Sequence, residues 1–426
     1  MRFIFSALFS LCFNSLLTCI PHTLFAQALA LAEAKECRER QGLPNFFRKL
    51  ESHKPVTIAY FGGSITEAGK GWREQSTAWF QKKYPKAKIS AVNAAIGGTG
   101  SDLGVFRLQQ HVLAHHPDLV FVEFAVNDAG RKPEDIYKSM EGIVRQIWQQ
   151  NNTTDICFVY TLTADMAPTL QEGKFPQAAS AMERIADYYQ IPSVHMGLEV
   201  VKLAKNNELV FKGKPEDFPG KLVFSGDNVH PYPQTGHKLY TEALVRSLPA
   251  LAITKRNFAH TLEKPFVANN WERAKMIPVK EATFSRGWQV IAANTDTVAR
   301  QLQNQFSYLI KAEQPGETIT IRFKGTRFGL YDVMGPGCGQ YEIKVDGNPA
   351  ILRARFDAFS TYYRANYFFL PDMEDTLHTI ELTVSAKIMD KAAILAKRST
   401  TIDNPAKYTS HACYASQLMI IGELVK

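Results

Sequence analysis

The residues most suggestive of chemistry in this 426-residue chain are a serine, a glycine, an asparagine, an aspartate and a histidine. Ser64 follows an apolar segment and two glycines, Gly98 lies in a glycine-rich segment, and Asn127 follows another apolar segment. Asp227 and His230 stand three residues apart before a predicted helix. Acyl transfer uses such groups: a hydroxyl nucleophile, an imidazole base, a carboxylate that orients it, and N–H donors for an oxyanion.

The elements that must position these residues form a predicted α/β unit. Apolar, β-branched segments predict strands that alternate with helical segments, and the continuous apolar run at 118–126 is typical of a strand buried on both faces of a parallel sheet. Ligands bind at the carboxyl edge of such sheets, which is where the chemically suggestive residues are expected. The predicted strands are 56–63, 87–95, 118–126, 155–162 and 191–195, and the predicted helices are 71–84, 102–116, 132–150, 177–189 and 233–248.

Four sequence blocks carry these residues, and together they resemble those of the SGNH (GDSL-like) hydrolases. Ser64 lies in FGGSIT, Gly98 in NAAIGGTGSD, Asn127 in EFAVND, and the last block is DNVHP with Asp227 and His230. The blocks occur in order over about 200 residues. The first block has GGS where GDS is commoner in the family. The resemblance implies a three-layer αβα, flavodoxin-like domain with a parallel sheet.

The resemblance also implies roles for the matched residues. Ser64 is expected to be the nucleophile, His230 the general base, and Asp227 the group that orients the imidazole. The backbone N–H groups of Ser64 and Gly98 and the side-chain amide of Asn127 are expected to form the oxyanion hole. No cofactor or metal is expected. The G-x-S-x-G, HExxH and GxxxxGK[ST] motifs, which indicate other hydrolase or nucleotide chemistries, do not occur around these residues.

Several neighbours of these blocks receive structural interpretations. Glu67 and Asp128 are predicted to be local hydrogen-bonding groups or to lie at the rim of the substrate site. His195 and His237 are predicted to be structural. Gly97 and Gly100 are interpreted as turn glycines.

Beyond residue 250 the pattern changes from alternating helices and strands to short strands with turn signals, among them predicted strands at 318–325 and 327–335. This predicts an all-β sandwich, jelly-roll-like domain at 281–426, joined by a linker at 251–280 to a catalytic domain at 29–250. The pair Asp346-Gly347 predicts a hairpin. Cys338 and Cys413 are either a disulfide or two buried thiols. One aromatic cluster, a sugar-stacking surface or more commonly sandwich core, comprises Tyr362, Tyr363, Tyr367, Phe368 and Phe369.

The first 28 residues have the pattern of a secretory signal peptide, with Arg2, an apolar run and a small-residue exit near Ala26–Ala28. This predicts export to the periplasm or beyond. An amphipathic helix, or a lipoprotein site at Cys19, are the alternatives. No later apolar segment reaches the length of a membrane span, so no stable membrane span is expected.

The chain has a formal net charge of +8, but its basic residues are scattered, with no run of five or more. Nucleic-acid binding is therefore not expected, whereas an acidic glycan is compatible with this charge. The resemblance and the appended β-domain together favour an esterase that removes acyl groups, in particular acetyl, from a carbohydrate. Two alternatives remain: a lipase, thioesterase or O-acyltransferase with the same residues, and a glycan-binding protein without activity. The sequence does not indicate an oligomeric state.

Overall fold

The computed structural model describes residues 29–252 and 258–425. The predicted signal peptide, 1–28, lies outside the described residues. Two bodies of regular structure follow one another along the chain, an α/β body and then an antiparallel β body. This agrees with the fold class expected from the sequence.

The first body is built on a six-stranded sheet in the order β3-β2-β4-β5-β6-β1. All neighbours are parallel except β1, which runs antiparallel to β6. Without β1, the strand order is that of flavodoxin-like folds. The central strands β4 and β5 are buried along their whole length, which explains their apolar sequences. The strands are β1 (Cys37–Arg38), β2 (Val56–Gly62), β3 (Ile89–Asn93), β4 (Leu119–Glu123), β5 (Asp155–Tyr160) and β6 (Ser193–His195).

Helices cover both faces of this sheet. Helices α4, α5 and α7 pack against one another as one layer, and α3 packs against α9 in the other. The helices are α1 (Pro44–Glu51), α2 (Ser64–Glu67), α3 (Trp72–Lys83), α4 (Ser101–His111), α5 (Pro133–Gln150), α6 (Ala167–Gln171), α7 (Gln177–Tyr189), α8 (Leu198–Lys205) and α9 (Gly236–Leu251). Predicted and observed helix boundaries differ most at the end of α4, predicted at His116 and observed at His111. Helix α9 begins three residues later than predicted, after Pro231 and Pro233.

A short parallel pair that the sequence analysis did not predict precedes the last block. It consists of β7 (Leu209–Lys212) and β8 (Leu222–Ser225). Because β8 ends at Ser225, this pair holds the start of the loop that carries Asp227 and His230.

The second body contains an eight-stranded and a three-stranded antiparallel sheet. Apolar side chains of both sheets share one core, for example Ile310 and Ala415 of the small sheet with Phe323 and Ile380 of the large one. The strands are β9 (Ala274–Pro278), β10 (Thr283–Phe284), β11 (Gln289–Ile291), β12 (Leu309–Ala312), β13 (Thr318–Met334), β14 (Gln340–Val345), β15 (Ile351–Ala354), β16 (Arg364–Phe369), β17 (Thr376–Val384), β18 (Cys413–Ala415) and β19 (Gln417–Leu424), with helices α10 (Thr297–Gln301) and α11 (Lys391–Ala396).

Three details of this body bear on the sequence predictions. The segments 318–325 and 327–335, predicted as two strands, form the single strand β13, in which a register shift between Gly325 and Arg327 bends the strand without ending it. The predicted hairpin is present as β14–β15, and Asp346 and Gly347 both adopt positive φ. Strand β9 lies inside the predicted linker 251–280 and pairs with β19.

The two bodies pack through an aromatic and ionic seam. Phe106 of α4 contacts both Trp271 and Phe369, with ring centroids 6.2 and 5.1 Å apart. The guanidinium of Arg327 lies 4.3 Å from the Trp271 ring. A buried core that continues from one body into the other fixes their relative position, and the site described below depends on that position.

Cys338 and Cys413 are separate, buried thiols in this structure. Burial raises the pKa of each thiol, so both are inert at neutral pH. In the described ranges, no helix combines the length and hydropathy that a bilayer span needs. The same residues contain no cluster of three or more His, Cys, Asp or Glu side chains arranged to hold a metal ion.

Candidate active site

Ser64 stands where β2 gives way to a single helical turn. Strand β2 ends at Gly62, and Ser64 is the first residue of α2. The two glycines before it are required by crowding: a Cβ on Gly62 would lie 2.6 Å from the Glu123 carbonyl oxygen, and one on Gly63 would lie 2.0 Å from Asn127 Oδ1. The tight turn places the Ser64 hydroxyl at the carboxyl edge of the sheet.

Ser64, His230 and Asp227 form one hydrogen-bonded line. Ser64 Oγ lies 2.9 Å from His230 Nε2, and His230 Nδ1 lies 2.7 Å from Asp227 Oδ2. With Nδ1–H donating to the carboxylate, Nε2 is free to accept the proton of the serine hydroxyl. In this geometry His230 is placed to activate the Ser64 hydroxyl.

Asp227 is held ionised by its own loop. Partial burial acts to raise its pKa, but hydrogen bonds from the His230 ring and from the backbone N–H groups of His230 and Val229 outweigh this effect and lower the pKa to about 2. Both backbone donors reach Oδ1, at 2.8 and 2.9 Å. One carboxylate therefore shapes the loop with one oxygen and orients the imidazole with the other.

Three N–H donors near the hydroxyl have no partner within the described part of the protein. They are the backbone N–H groups of Ser64 and Gly98 and the side-chain amide of Asn127. All three residues line the same cleft as His230. Unpaired donors beside a nucleophile are the components of an oxyanion hole.

The loop that carries Gly98 depends on a carboxylate that the sequence analysis interpreted only as a local hydrogen-bonding or rim group. Glu67 Oε2 accepts a 2.8 Å hydrogen bond from the Gly97 N–H, which leaves the next N–H, that of Gly98, unpaired. Gly98 has a φ of +70°. A residue with a side chain in this left-handed conformation costs about 1–2 kcal/mol, so glycine is the favoured residue here.

The opposite wall of the cleft belongs to the β body. The cleft encloses about 680 Å³ and contains residues from both bodies. Sequence reasoning did not find most of this wall, because its members lie more than 70 residues beyond the last block and have no motif of their own. The residues from the β body are Leu302, Gln305, Tyr331, Tyr362, Tyr363, Arg364, Ala365 and Asn366.

The residues of the predicted aromatic cluster lie in different places: the cleft, the β core and the contact between the two bodies. Tyr362, which is 59% exposed, and Tyr363 line the cleft. Phe368 is buried in the β core, as favoured from the sequence, and Phe369 packs on Phe106. The Tyr367 hydroxyl lies 3.0 Å from Asp102 Oδ1, so it joins the two bodies.

The residues predicted to be structural are buried. His195 stacks on Phe175, and burial lowers its pKa to about 3. His237 accepts a hydrogen bond from the Trp72 N–H. Asp128 accepts two hydrogen bonds from Ser101, one from its backbone N–H and one from its hydroxyl.

Known proteins resemble this chain at the level of family sequence and of overall fold. The model of the GDSL-like lipase/acylhydrolase family matches residues 60–238. Two solved structures of a two-domain esterase active on acetylated mannans share the fold. One has a TM-score of 0.69, covering 91% of this chain and 97% of that chain. The other, co-crystallised with mannopentaose, has a TM-score of 0.66, covering 91% and 96%. Both are 19% identical to this chain.

A comparison with curated proteins found no match by sequence. The family match spans the segments that contain Ser64, Gly98, Asn127, Asp227 and His230, all of which lie at one edge of the parallel sheet. Residues 60–238 thus match the GDSL-like lipase/acylhydrolase family in sequence, and this part of the chain carries the groups of a carboxylic ester hydrolase.

Proposed function

We propose that this chain is an exported serine esterase that removes small acyl groups, in particular acetyl, from a carbohydrate. The observation that carries the proposal is the line of hydrogen bonds from Ser64 through His230 to Asp227, at the base of a cleft shared by both bodies. No cofactor enters the proposed reaction.

The reaction follows from the geometry of the site. Ser64 Oγ attacks the ester carbonyl carbon while its proton passes to His230 Nε2. The N–H donors of Ser64, Gly98 and Asn127 hold the resulting oxyanion. The ester C–O bond then breaks, and the sugar hydroxyl leaves with the proton from His230. Water, deprotonated by the same imidazole, attacks the acyl-serine, the bond from the acyl carbon to Ser64 Oγ breaks, and His230 returns the proton to Oγ as the carboxylic acid is released.

The lining of the cleft favours a polar leaving group over a long acyl chain. Its aliphatic side chains, Ile96, Val229, Leu302 and Ala365, are spread over both bodies. Amide, hydroxyl and guanidinium groups recur on the wall from the β body, among them Gln305, Arg364 and Asn366. Each buried methylene of an acyl chain contributes about 0.8 kcal/mol only if apolar surface covers it. Polar side chains with an adjacent tyrosine suit a sugar ring.

The two solved structures that share both bodies are of an esterase active on acetylated mannans. That similarity supports an acetylated glycan as the substrate here. We further propose that 1–28 is a cleaved signal peptide, that the catalytic domain spans 29–250, and that 281–426 is an accessory domain after the linker 251–280. Export would place the enzyme where such glycans occur.

The test is hydrolysis by the purified chain of p-nitrophenyl acetate and of acetylated mannan and xylan. Ser64→Ala is expected to abolish acetate release, because no other group replaces the nucleophile. The matched control is Ser52→Ala, an exposed serine at the end of α1, which should retain full activity. If Ser64→Ala were as active as the unmodified chain, the proposed mechanism would be refuted. Faster turnover of C8 than of C2 esters would indicate a lipase instead.

A further inference from the structure

Arg107 is a buried cation without an ionic partner. It lies on α4 and is 0% exposed, and no described carboxylate lies within ion-pair distance of its guanidinium. The guanidinium stacks 4.5 Å from the Phe61 ring, and its Nε has no hydrogen-bond partner. Burying an unpaired charge is unfavourable by several kcal/mol, so an apolar side chain would serve packing better at this position.

Besides a 3.5 Å contact with His111 Nδ1 on its own helix, Arg107 makes two hydrogen bonds, and these reach the two loops of the candidate oxyanion hole. Nη2 donates to the carbonyl oxygen of Gly62 at 3.2 Å, and Nη1 donates to the carbonyl oxygen of Ala94. Gly62 ends β2 two residues before Ser64. Ala94 begins the loop that follows β3 and carries Gly98. One guanidinium therefore ties the two backbone segments that supply the unpaired N–H donors.

These ties act together with two others. The Ile96 N–H donates to the Gly62 carbonyl oxygen at 3.0 Å, and the Gly97 N–H donates to Glu67. The carbonyl groups of Gly62 and Ala94 are thereby turned toward the buried cation, while the N–H groups of Ser64 and Gly98 remain unpaired at the cleft. An oxyanion hole needs N–H donors, and no carbonyl oxygen, beside the developing negative charge. Carbonyl groups that face Arg107 and N–H groups that face the cleft meet this need.

The charge of Arg107 also reaches the cleft. Burial lowers its pKa to about 10, which leaves it cationic at neutral pH. It interacts electrostatically with the carboxylate of Glu67, which lines the cleft. Interactions of this kind are weakly screened inside a protein.

We propose that Arg107 is a positioning residue of the esterase, which holds the loops of Ser64 and Gly98 so that their N–H groups meet the oxyanion, and whose charge favours that oxyanion. The inference rests on the proposed function of Ser64. It concerns the transition state, so it affects kcat and leaves ground-state binding unchanged.

The test compares Arg107→Met, Arg107→Lys and Arg107→Gln in the full chain with p-nitrophenyl acetate. Arg107→Met is expected to lower kcat by about 100-fold, with KM within about twofold of the unmodified value. The rate of covalent inactivation by diethyl p-nitrophenyl phosphate should fall in parallel, because that reaction also develops negative charge on an oxygen at Ser64. Arg107→Lys keeps the charge and should recover at least about tenfold of the loss, whereas Arg107→Gln should not.

Arg145→Met is the matched control. Arg145, on α5, is also a buried arginine, but it pairs with Glu272, and neither residue lines the cleft. Its replacement should lower Tm and leave kcat unchanged. A kcat in Arg107→Met within about threefold of the unmodified value overturns the inference, as does an Arg107→Lys variant no faster than Arg107→Gln. If Arg107→Met does not fold, the Lys and Gln pair decides.

Failure of this inference is distinguishable from failure of the proposed function. An active Ser64→Ala variant refutes the proposed function itself. An inactive Ser64→Ala variant together with unaffected Arg107 variants refutes only the role of Arg107.

Discussion

Some single residues in this site have two roles each. Asp227 closes the turn before His230 with one oxygen and holds the imidazole with the other. Glu67 holds the Gly97 N–H and lines the cleft. Such shared use means that substitutions here alter both the local backbone and the chemistry, so the informative variants are those that remove one function alone.

Asn127→Ala is such a variant. Its side-chain amide has no partner within the described protein, so its removal leaves no buried group unsatisfied. We expect kcat to fall by about 10²–10³-fold, because one oxyanion donor is lost, with KM and Tm nearly unchanged. Steady-state kinetics and thermal unfolding check this. A rise in KM at constant kcat would instead assign Asn127 to substrate binding.

Glu123 offers a pH-dependent prediction at the same scale. This side chain is 1% exposed and accepts hydrogen bonds from Thr66 and Thr161. Burial raises its pKa to about 7, although those hydrogen bonds act to lower it. The folded protein therefore binds the proton more tightly than the unfolded chain, and the stability this contributes, at most about 3 kcal/mol, is fully present below about pH 4.5 and lost as pH rises through about 7.

Replacement of Glu123 by Gln removes this titration. We expect the Tm of the unmodified protein, relative to that of Glu123→Gln, to decrease as pH rises from 5 to 8. Thermal unfolding of both proteins over this range gives the comparison directly. Parallel profiles of Tm against pH for the two proteins would show that Glu123 does not titrate between pH 5 and 8.

At the scale of elements, the site depends on how closely successive loops approach. The turn between β2 and α2 lies against the residues that follow β4, so Gly63 has no room for a side chain beside Asn127. Its backbone is extended, with φ of −97°, so the constraint is steric and does not come from the backbone conformation. Loop positions are thus set by contact between loops as much as by the strands that lead into them.

Gly63→Ala tests this packing. The added Cβ should displace the Asn127 side chain and lower kcat to about the level of Asn127→Ala. In the double variant Gly63→Ala/Asn127→Ala the obstructing side chain is gone, so the second change should add little further loss. The matched control is Gly130→Ala, where a Cβ meets no atom within 4 Å. Additive losses in the double variant would argue against a direct clash.

At the scale of the whole molecule, the candidate catalytic groups and the far wall of the cleft come from different bodies. Phe106, Trp271, Phe369 and Arg327 hold these bodies together, and Tyr367 bonds across to Asp102. Substitutions of the candidate catalytic groups are therefore expected to affect the chemical step, whereas substitutions in the wall from the β body are expected to affect substrate binding.

Tyr362→Ala is predicted to separate them. Tyr362 projects from the β body into the cleft, far along the chain from Ser64. Loss of a stacking surface worth about 1.4 kcal/mol raises KM for an acetylated oligosaccharide about tenfold. Hydrolysis of p-nitrophenyl acetate, which has no sugar, should be unaffected. Phe359→Ala, an exposed aromatic residue of the same segment outside the cleft, is the control, and an equal effect in both variants would contradict the prediction.

The sequence by itself determined the α/β body and its alternation of strands and helices, and it suggested the residues of the candidate site. Those features are local or repetitive: buried parallel strands are continuously apolar, and loops at one edge of a parallel sheet must lie together. Ser64, Gly98, Asn127, Asp227 and His230 could thus be proposed before any distance was known.

The tertiary structure alone decided what surrounds these residues. Arg107 has no motif, and its role emerges only when Gly62 and Ala94 become neighbours. The wall from the β body, including Tyr331 and Tyr362, comes from residues more than 200 positions from Ser64. The aromatic residues of the cluster at 362–369 lie in a core, at an interface and in a cleft. Packing between the two bodies, rather than residue type, determines which of these side chains remain exposed.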